Sequence, residues 1–325
     1  MWVVNYDEDG YLTRGNAADP SLGDYDVLVK VEASGVNRAD LLQKVGKYPL
    51  PMGASPILGL EVAGEVVDVG KEGTRWKVGD RVMGLLAGGG YAEYVSDHEN
   101  LFMRIPDGLS YEQASAVPEA FLTAYQALFS LANIATNEHV MIHAGASGVG
   151  MAAIQLAKSQ GATVYVTAGS QSKIDFCQQI GADFGVNYRD TPLFEGQVLK
   201  LSDSHGIDIV VDVVGGSYVP QNINLLRTDG RYVLLAFMGG HKSEINLAKI
   251  LNKRIHLIGS TLRARSLPYK KQLIEQFSES FSSSLASGAI VPIMDSVYSF
   301  SQVNEAHDRM QQNLNMGKIV LSISQ

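Results

Sequence analysis

One short segment, Ala144-Gly145-Ala146-Ser147-Gly148-Val149-Gly150, has the residue types to cradle a phosphate. It lies between an apolar run at 139–144 and a helix-compatible run at 151–160. In such a strand–turn–helix, the first glycine makes a tight bend and a later one lets helix and strand pack closely. The helix start then offers unpaired amides and a positive dipole end to a pyrophosphate. Gly145 and Gly150 match the first and third positions of G-x-G-x-x-G, Ser147 stands at the second, and Gly148 adds another glycine. A purely structural turn would use the same glycines. The strand before, the helix after and the strands that follow favour a dinucleotide site.

The residues after the next strand bear on which dinucleotide. A site for NAD places an acid about 20 residues beyond the glycines, to hold the ribose 2′-hydroxyl. Here the segment Thr167-Ala168-Gly169-Ser170-Gln171-Ser172-Lys173 contains no Asp or Glu. Lys173 can meet a 2′-phosphate as a point charge and Ser170 can donate a hydrogen bond. Lys173 is equally well explained as a solvated helix residue, so the missing acid is the stronger point. The segment favours NADPH over NADH. Metal chemistry has little to work with: the single Cys177 excludes a disulfide framework and a zinc site of several thiolates. None of the seven histidines has a Cys or His partner at metal-ligand spacing.

These segments need a scaffold, and 325 residues predict about two domains, each with its own core. A hydrophobic fraction of 46% and a charged fraction of 18% describe an ordinary globular protein. The 33 glycines exceed the usual share of ~7%, so many turns or close backbone approaches are expected. A net charge of -8 gives no electrostatic footprint for nucleic acid. No run of about 18 apolar residues suggests a membrane span. The first ten residues carry early acids and too short an apolar stretch for a signal peptide, so a reducing, cytoplasmic location is expected.

Up to about residue 118 the pattern is of short strands broken by glycine and proline, at 27–32, 60–69, 80–86 and 91–95. Pro49, Pro51 and Pro56 make a loop. A helix-compatible stretch, 111–129, contains Pro118. Strand and helix then alternate, with strands at 139–144, 163–168, 184–188, 207–214, 231–236 and 256–261. Helices at 151–160 and 172–180 are each ended by a glycine, Gly161 and Gly181. Six strands with crossovers imply a doubly wound parallel sheet in an α/β protein. A long helix at 269–286, a strand at 297–300, a helix at 301–312 and a strand at 319–323 complete the chain. That last strand is expected to rejoin the N-terminal β region. The expected division is therefore a discontinuous first domain, 1–118 with 267–325, and a Rossmann NADP-binding domain, 119–266.

The chain resembles a medium-chain dehydrogenase/reductase of the zinc-free quinone oxidoreductase (zeta-crystallin-like) branch, and within it the tumour-suppressor-induced NADPH quinone oxidoreductases. The resemblance rests on Gly35-Val36-Asn37-Arg38-Ala39-Asp40-Leu41, Gly59-Leu60-Glu61-Val62-Ala63-Gly64, Gly89-Gly90-Tyr91-Ala92-Glu93-Tyr94, Phe121-Leu122-Thr123-Ala124-Tyr125, the glycine segment from His143, and Gly317-Lys318-Ile319-Val320-Leu321. It implies a GroES-like β-barrel catalytic domain, a Rossmann domain and a cleft between them. Zinc enzymes of the same superfamily carry Cys where this chain has Asn37, His where it has Leu60, and a further Cys near 119–121. The resemblance therefore implies a zinc-free site.

It also implies roles for individual residues. Asn37, Asp40 and Tyr48 line the cleft, where an amide and a phenol can bind a quinone or enone oxygen and stabilise developing charge. Asp40 could instead cap locally or pair with Arg38, and Tyr48 could be a half-buried loop aromatic. Thr123 approaches the nicotinamide; Ser147, Gly148 and Val149 meet the pyrophosphate; Gly169, Ser170, Lys173 and Tyr188 surround the adenosine 2′-phosphate. Val214, Gly215 and Gly216, with Phe237, Met238 and Gly239, fall at strand ends where such sheets bind ligands. Ser260, Leu262 and Asn315 are expected beside the nicotinamide. Arg263 and Arg265 read as exposed loop arginines, with a place at the border of the cleft as the other possibility. The expected activity is NADPH-dependent reduction of quinones or related conjugated carbonyls. An enoyl or alkenal double-bond reductase and a non-catalytic, crystallin-like NADPH-binding protein stand as alternatives. The apolar strand at 256–261 should form a sheet edge, which invites pairing into a homodimer.

Overall fold

The computed structural model describes residues 1–323. The chain divides into two compact units, Met1–Leu122 with Leu262–Gln325, and Thr123–Thr261.

The first unit begins with an antiparallel hairpin, β1 (Trp2–Tyr6) and β2 (Leu12–Asn16), turned at Asp7, whose carboxylate accepts the amide of Tyr11 at 2.8 Å. β3 (Asp26–Gly35) buries Val27, Val29, Val31 and Ala33 on one face, as its alternation requires. After α1 (Arg38–Gln43) come β4 (Glu61–Val69), β5 (Arg81–Leu85), β6 (Tyr94–His98) and β7 (Phe102–Arg104). The strand expected at 91–95 lies three residues later, because Tyr91 and Ala92 leave the ladder to meet the N-terminal hairpin, Ala92 bridging Val3. The expected helix over 111–129 is broken. α2 (Tyr111–Ser115) stops short of Pro118, α3 (Pro118–Tyr125) restarts on it, and Gln126–Leu131 widens to a π turn. Proline supplies no amide hydrogen and keeps its predecessor out of the helical region, so it begins a helix and cannot continue one.

The second unit holds β8 (His139–Ile142), α4 (Gly148–Ser159), β9 (Thr163–Ala168), α5 (Gln171–Gln179), β10 (Phe184–Asn187), α6 (Glu195–Leu201), β11 (Ile207–Asp212), α7 (Tyr218–Leu225), β12 (Leu226–Leu234), α8 (Leu247–Lys253) and β13 (His256–Gly259). Its six strands are all parallel in the order β10-β9-β8-β11-β12-β13. The order reverses between β8 and β11, which creates a crevice at their carboxyl ends. β8, β9 and β11 are almost wholly buried and have apolar centres, as strands covered on both faces do.

The chain then returns to the first unit through α9 (Leu267–Ser287), β14 (Met294–Ser299), α10 (Val303–Gln311) and β15 (Lys318–Ser322). β15 pairs antiparallel with β3, with Val320 opposite Gly35, and parallel with β14. The sheet runs β14-β15-β3-β4-β5-β7, with β6 also on β3. Residues 301–302 of the expected helix belong to a single 3₁₀ turn, so the α-helix starts at Val303.

Candidate functional site

In the parallel-sheet unit the glycine segment follows β8 directly. Gly145 donates its amide to Thr167 O at 3.0 Å, tying the turn to β9. A Cβ on Gly145 would lie 2.8 Å from Val166, and one on Gly150 would lie 2.4 Å from the Ala144 carbonyl. Both positions therefore need glycine. Ser147 caps α4, its hydroxyl accepting the Gly150 amide at 3.0 Å. The remaining first-turn amides, those of Gly148 and Val149, have no acceptor within the helix and sit at its positive end. The turn fits a pyrophosphate.

β9 ends in Ala168, and Ser170 caps α5 by accepting the Lys173 amide at 3.3 Å. A Cβ on Gly169 would come within 2.7 Å of the Tyr188 hydroxyl, so Gly169, Ser170, Lys173 and Tyr188 form one neighbourhood. Val214, Gly215 and Gly216 are bound to the segment after β12: Gly239 donates to Val214 O at 2.7 Å and Met238 to Val213 O at 3.2 Å. Phe237 and Met238 are exposed. Ser260 donates to Gln126 Oε1 at 3.1 Å, and Thr123 lies on α3 in the same unit.

Beneath these turns lies a buried polar network absent from the expectations. Asp212 accepts the amides of Val214 at 2.6 Å and Gly215 at 3.1 Å, and receives the Tyr232 hydroxyl. His143 bridges Thr167 Oγ1 at 2.9 Å and Asn222 Oδ1 at 2.8 Å, and burial depresses its pKa. The network fixes the ends of β8, β9 and β11 without exposing a charge. An Asp immediately before Val-Val-Gly-Gly was the signal available in the sequence.

In the first unit, Asn37 precedes α1 and both ends of its amide are occupied. Its Nδ2 donates to Glu61 Oε1 at 2.9 Å, and its Oδ1 accepts from Lys318 Nζ at 2.7 Å. Lys318, 5% exposed, also donates to Val36 O at 3.1 Å and to Glu61 Oε1 at 2.5 Å. Glu61 is fully buried, and its other oxygen accepts the Glu119 amide at 2.8 Å. This closed ion pair joins the β3–α1 corner, β4, the start of α3 and β15. Glu61, Glu119 and Lys318 were not singled out by sequence reasoning, because a charged side chain reads as a surface residue until its partner is known.

Asp40 is buried and caps its own helix. One oxygen accepts the Asn37 amide at 2.8 Å and the other the Gly59 amide at 3.0 Å. Burial outweighs these donors and pushes its carboxyl up to about 6. The Tyr91 hydroxyl links Asp40 at 3.4 Å to His307 Nε2 at 3.1 Å. Glu119 is pushed up to about 7, by burial first and Glu61 second. Tyr48 is half-buried on the loop after α1, and burial raises its phenol. The Arg263 guanidinium stands 5.3 Å above its ring. Arg263 is not exposed, as its loop position suggested: it is 4% accessible, held by Ala87 O at 2.8 Å and Gln43 Oε1 at 2.7 Å. Leu262 is buried, and Asn315 donates to Gly317 O at 2.9 Å.

The chemistry of this donor set does not fit a zinc ion. Asn37 is committed at both ends, Leu60 offers no ligand atom, and Lys318 already places a cation among them. Among the described residues no group of three or more His, Cys, Asp or Glu is placed to hold a metal.

Comparison with known proteins gives the class. Residues 23–107 match the alcohol dehydrogenase GroES-like domain, and residues 148–279 match the zinc-binding dehydrogenase domain. The chain is 30% identical to human quinone oxidoreductase over 302 residues, 91% of this chain and 88% of that protein. It belongs to the medium-chain dehydrogenase/reductase family of nicotinamide-dependent oxidoreductases, with a GroES-like domain and a Rossmann domain.

Individual relatives differ in what surrounds the shared fold. The chain is 34% identical over 318 residues, 93% of its length, to the zebrafish (Danio rerio) synaptic vesicle membrane protein VAT-1 homolog, of which it spans 65%. It spans between 5% and 14% of several polyketide synthases. Among solved structures, the Thermus thermophilus quinone oxidoreductase, also determined with NADPH, superposes with a TM-score of 0.85 at 28% identity, covering 99% of this chain and 100% of that one. The CurK enoyl reductase superposes with a TM-score of 0.85 at 29% identity, covering 99% and 98%. No helix among the described residues is long and apolar enough to cross a membrane.

Proposed function

We propose that the protein is an NADPH-dependent, zinc-independent reductase of quinones or related conjugated carbonyls. The observation that carries this reading is the closed Asn37–Glu61–Lys318 network, which engages both ends of the Asn37 amide where zinc relatives carry a ligand Cys, beside Leu60 where they carry a His. A site without a Lewis acid suits acceptors that are already electron-poor, and it must activate them through hydrogen-bond donors. Bound NADPH supplies the hydride or electrons. The glycine turn at α4 holds the pyrophosphate, and Ser170, Lys173 and Tyr188 take the 2′-phosphate, with no Asp or Glu in the segment 167–173. Tyr48 orients the acceptor with its hydroxyl. Glu119 holds a proton near neutral pH and can return it to the reduced product. Asn37 and Asp40 act by keeping the β3–α1 corner rigid, since their polar atoms are engaged within the protein.

Titration of NADPH and NADH with a simple quinone tests the reading. Turnover with a clear preference for NADPH is expected; no turnover, or preference for NADH, would overturn it. The similarity to an enoyl reductase structure favours a second reading, reduction of a conjugated double bond. Relative turnover of an enoyl thioester and a quinone separates the two. β13 forms one of the two edges of the parallel sheet with Leu257 exposed, and we propose that it pairs with a second copy. A monomer by light scattering would refute the dimer.

A further inference from the structure

A groove of about 720 Å³ lies wholly within the first unit. Two of its lining residues are largely buried cations with no carboxylate at ion-pair distance among the described residues. Lys270 is 5% exposed, yet no hydrogen bond or ion pair reaches its Nζ among the described residues. Arg263 is 4% exposed, and its Nη1 has no partner although Nε and Nη2 are satisfied. A second atom closed off without a partner, Ser96 Oγ, lines the same groove. The described residues contain three such closed-off orphan atoms, and two of them fall here. Burial and the nearby Arg263 charge both depress the Lys270 ammonium. Asp97, also in the lining, and Glu119 attract Lys270 but lie beyond ion-pair distance, while Arg265 adds another positive side chain.

Unpaired buried charge is costly, and most buried polar groups find partners. Arg263 and Lys270 are close in sequence and both line the groove, so the cost falls within one site. Opposite in character are Ile57 and Leu101, which line it with apolar surface. The volume suits a ligand of several tens of atoms.

We propose that this groove is an oxyanion subsite in which Lys270 Nζ, supported by Arg263, binds a carboxylate or phosphate whose apolar body lies along Ile57 and Leu101. That the anion belongs to an electron acceptor rests on the reductase reading; the subsite itself does not. The ligand class that results is an anionic conjugated acceptor, such as a carboxylated quinone or a phosphate-bearing enoyl thioester.

Calorimetric titration of the full chain tests this without turnover, using two pairs of probes. One pair is 1,4-naphthoquinone-2-carboxylate and its methyl ester; the other is crotonyl-phosphopantetheine and crotonyl-pantetheine. The charged member of at least one pair should bind roughly tenfold or more tightly, the worth of a charge-assisted hydrogen bond. Which pair responds identifies carboxylate or phosphate. Lys270→Gln should bring that ratio to within about twofold, and Lys270→Arg should restore most of it. Because the Lys270 side chain makes no hydrogen bond or ion pair in the fold, the Gln variant should unfold at the same temperature or higher. Equal affinities within both pairs, an unchanged ratio in Lys270→Gln, or a marked loss of its thermal stability would overturn the proposal. Selective binding without reduction of any probe would sink the reductase reading and leave the subsite intact.

Discussion

Replacing Lys318 by Met strands a fully buried carboxylate. Glu61 would keep two of its three donors, Asn37 Nδ2 at 2.9 Å and the Glu119 amide at 2.8 Å. Breaking a buried ion pair from one side costs roughly 3–5 kcal/mol, and the surviving donors place Lys318→Met near the lower end, about 3 kcal/mol. Glu61→Gln should cost a similar amount, because it leaves the buried ammonium with neutral acceptors only: Val36 O, the Asn37 amide oxygen and the amide oxygen that the substitution introduces. The double variant carries no uncompensated charge and should cost well under the sum, giving a coupling of about 3 kcal/mol. Urea unfolding followed by tryptophan emission is the suitable assay. Both tryptophans, Trp2 and Trp76, lie in the first unit, so the signal isolates it from the parallel-sheet unit. A loss below about 1 kcal/mol for Lys318→Met, or additive losses in the double variant, would refute the reasoning.

Three other outcomes follow from the same geometry. Asp40 holds its proton more tightly folded (about 6) than unfolded (3.8), so the unfolding free energy should fall as pH rises between those values. Asp40→Asn should flatten that slope relative to the wild type, and an unchanged slope would move the effect to another group. Gly150→Ala drives a methyl group into backbone oxygens and should cost the parallel-sheet unit about 1–3 kcal/mol, together with cofactor affinity. Thermal unfolding and NADPH titration check both effects. Under the proposed function, Lys173→Ala should weaken NADPH about tenfold while leaving NADH nearly unchanged; equal losses would remove Lys173 from the 2′-phosphate.

The parallel sheet was legible because its signals are local. Apolar runs at 139–144, 163–168 and 207–214 are strands buried on both faces, and Gly161 stands where α4 must stop. Helices α6, α7 and α8 were not anticipated, since α6 and α8 are seven residues long and α7 begins Tyr-Val-Pro, which reads as a turn. The N-terminal hairpin was missed for a similar reason: β2 reads Leu-Thr-Arg-Gly-Asn and buries only Leu12 well. Gly145, Gly150 and Gly169 could be recognised because a glycine requirement is written at the position itself. The network around Asn37 could not, because Lys318 is 257 residues from Glu61 and nothing near either residue announces the other. Arg263 was misread for the same reason, its acceptors being Gln43 and Ala87.

The place of β15 has a consequence for biosynthesis. As the chain leaves the ribosome, β3 and β4 are available early, yet β3 lacks one neighbour and Glu61 lacks its counterion until β15 emerges. The parallel-sheet unit, continuous in sequence, can fold meanwhile. The first unit is thus completed only after the whole parallel-sheet unit has been made, and a nascent chain arrested before Lys318 would expose an open sheet edge to chaperones or to other chains.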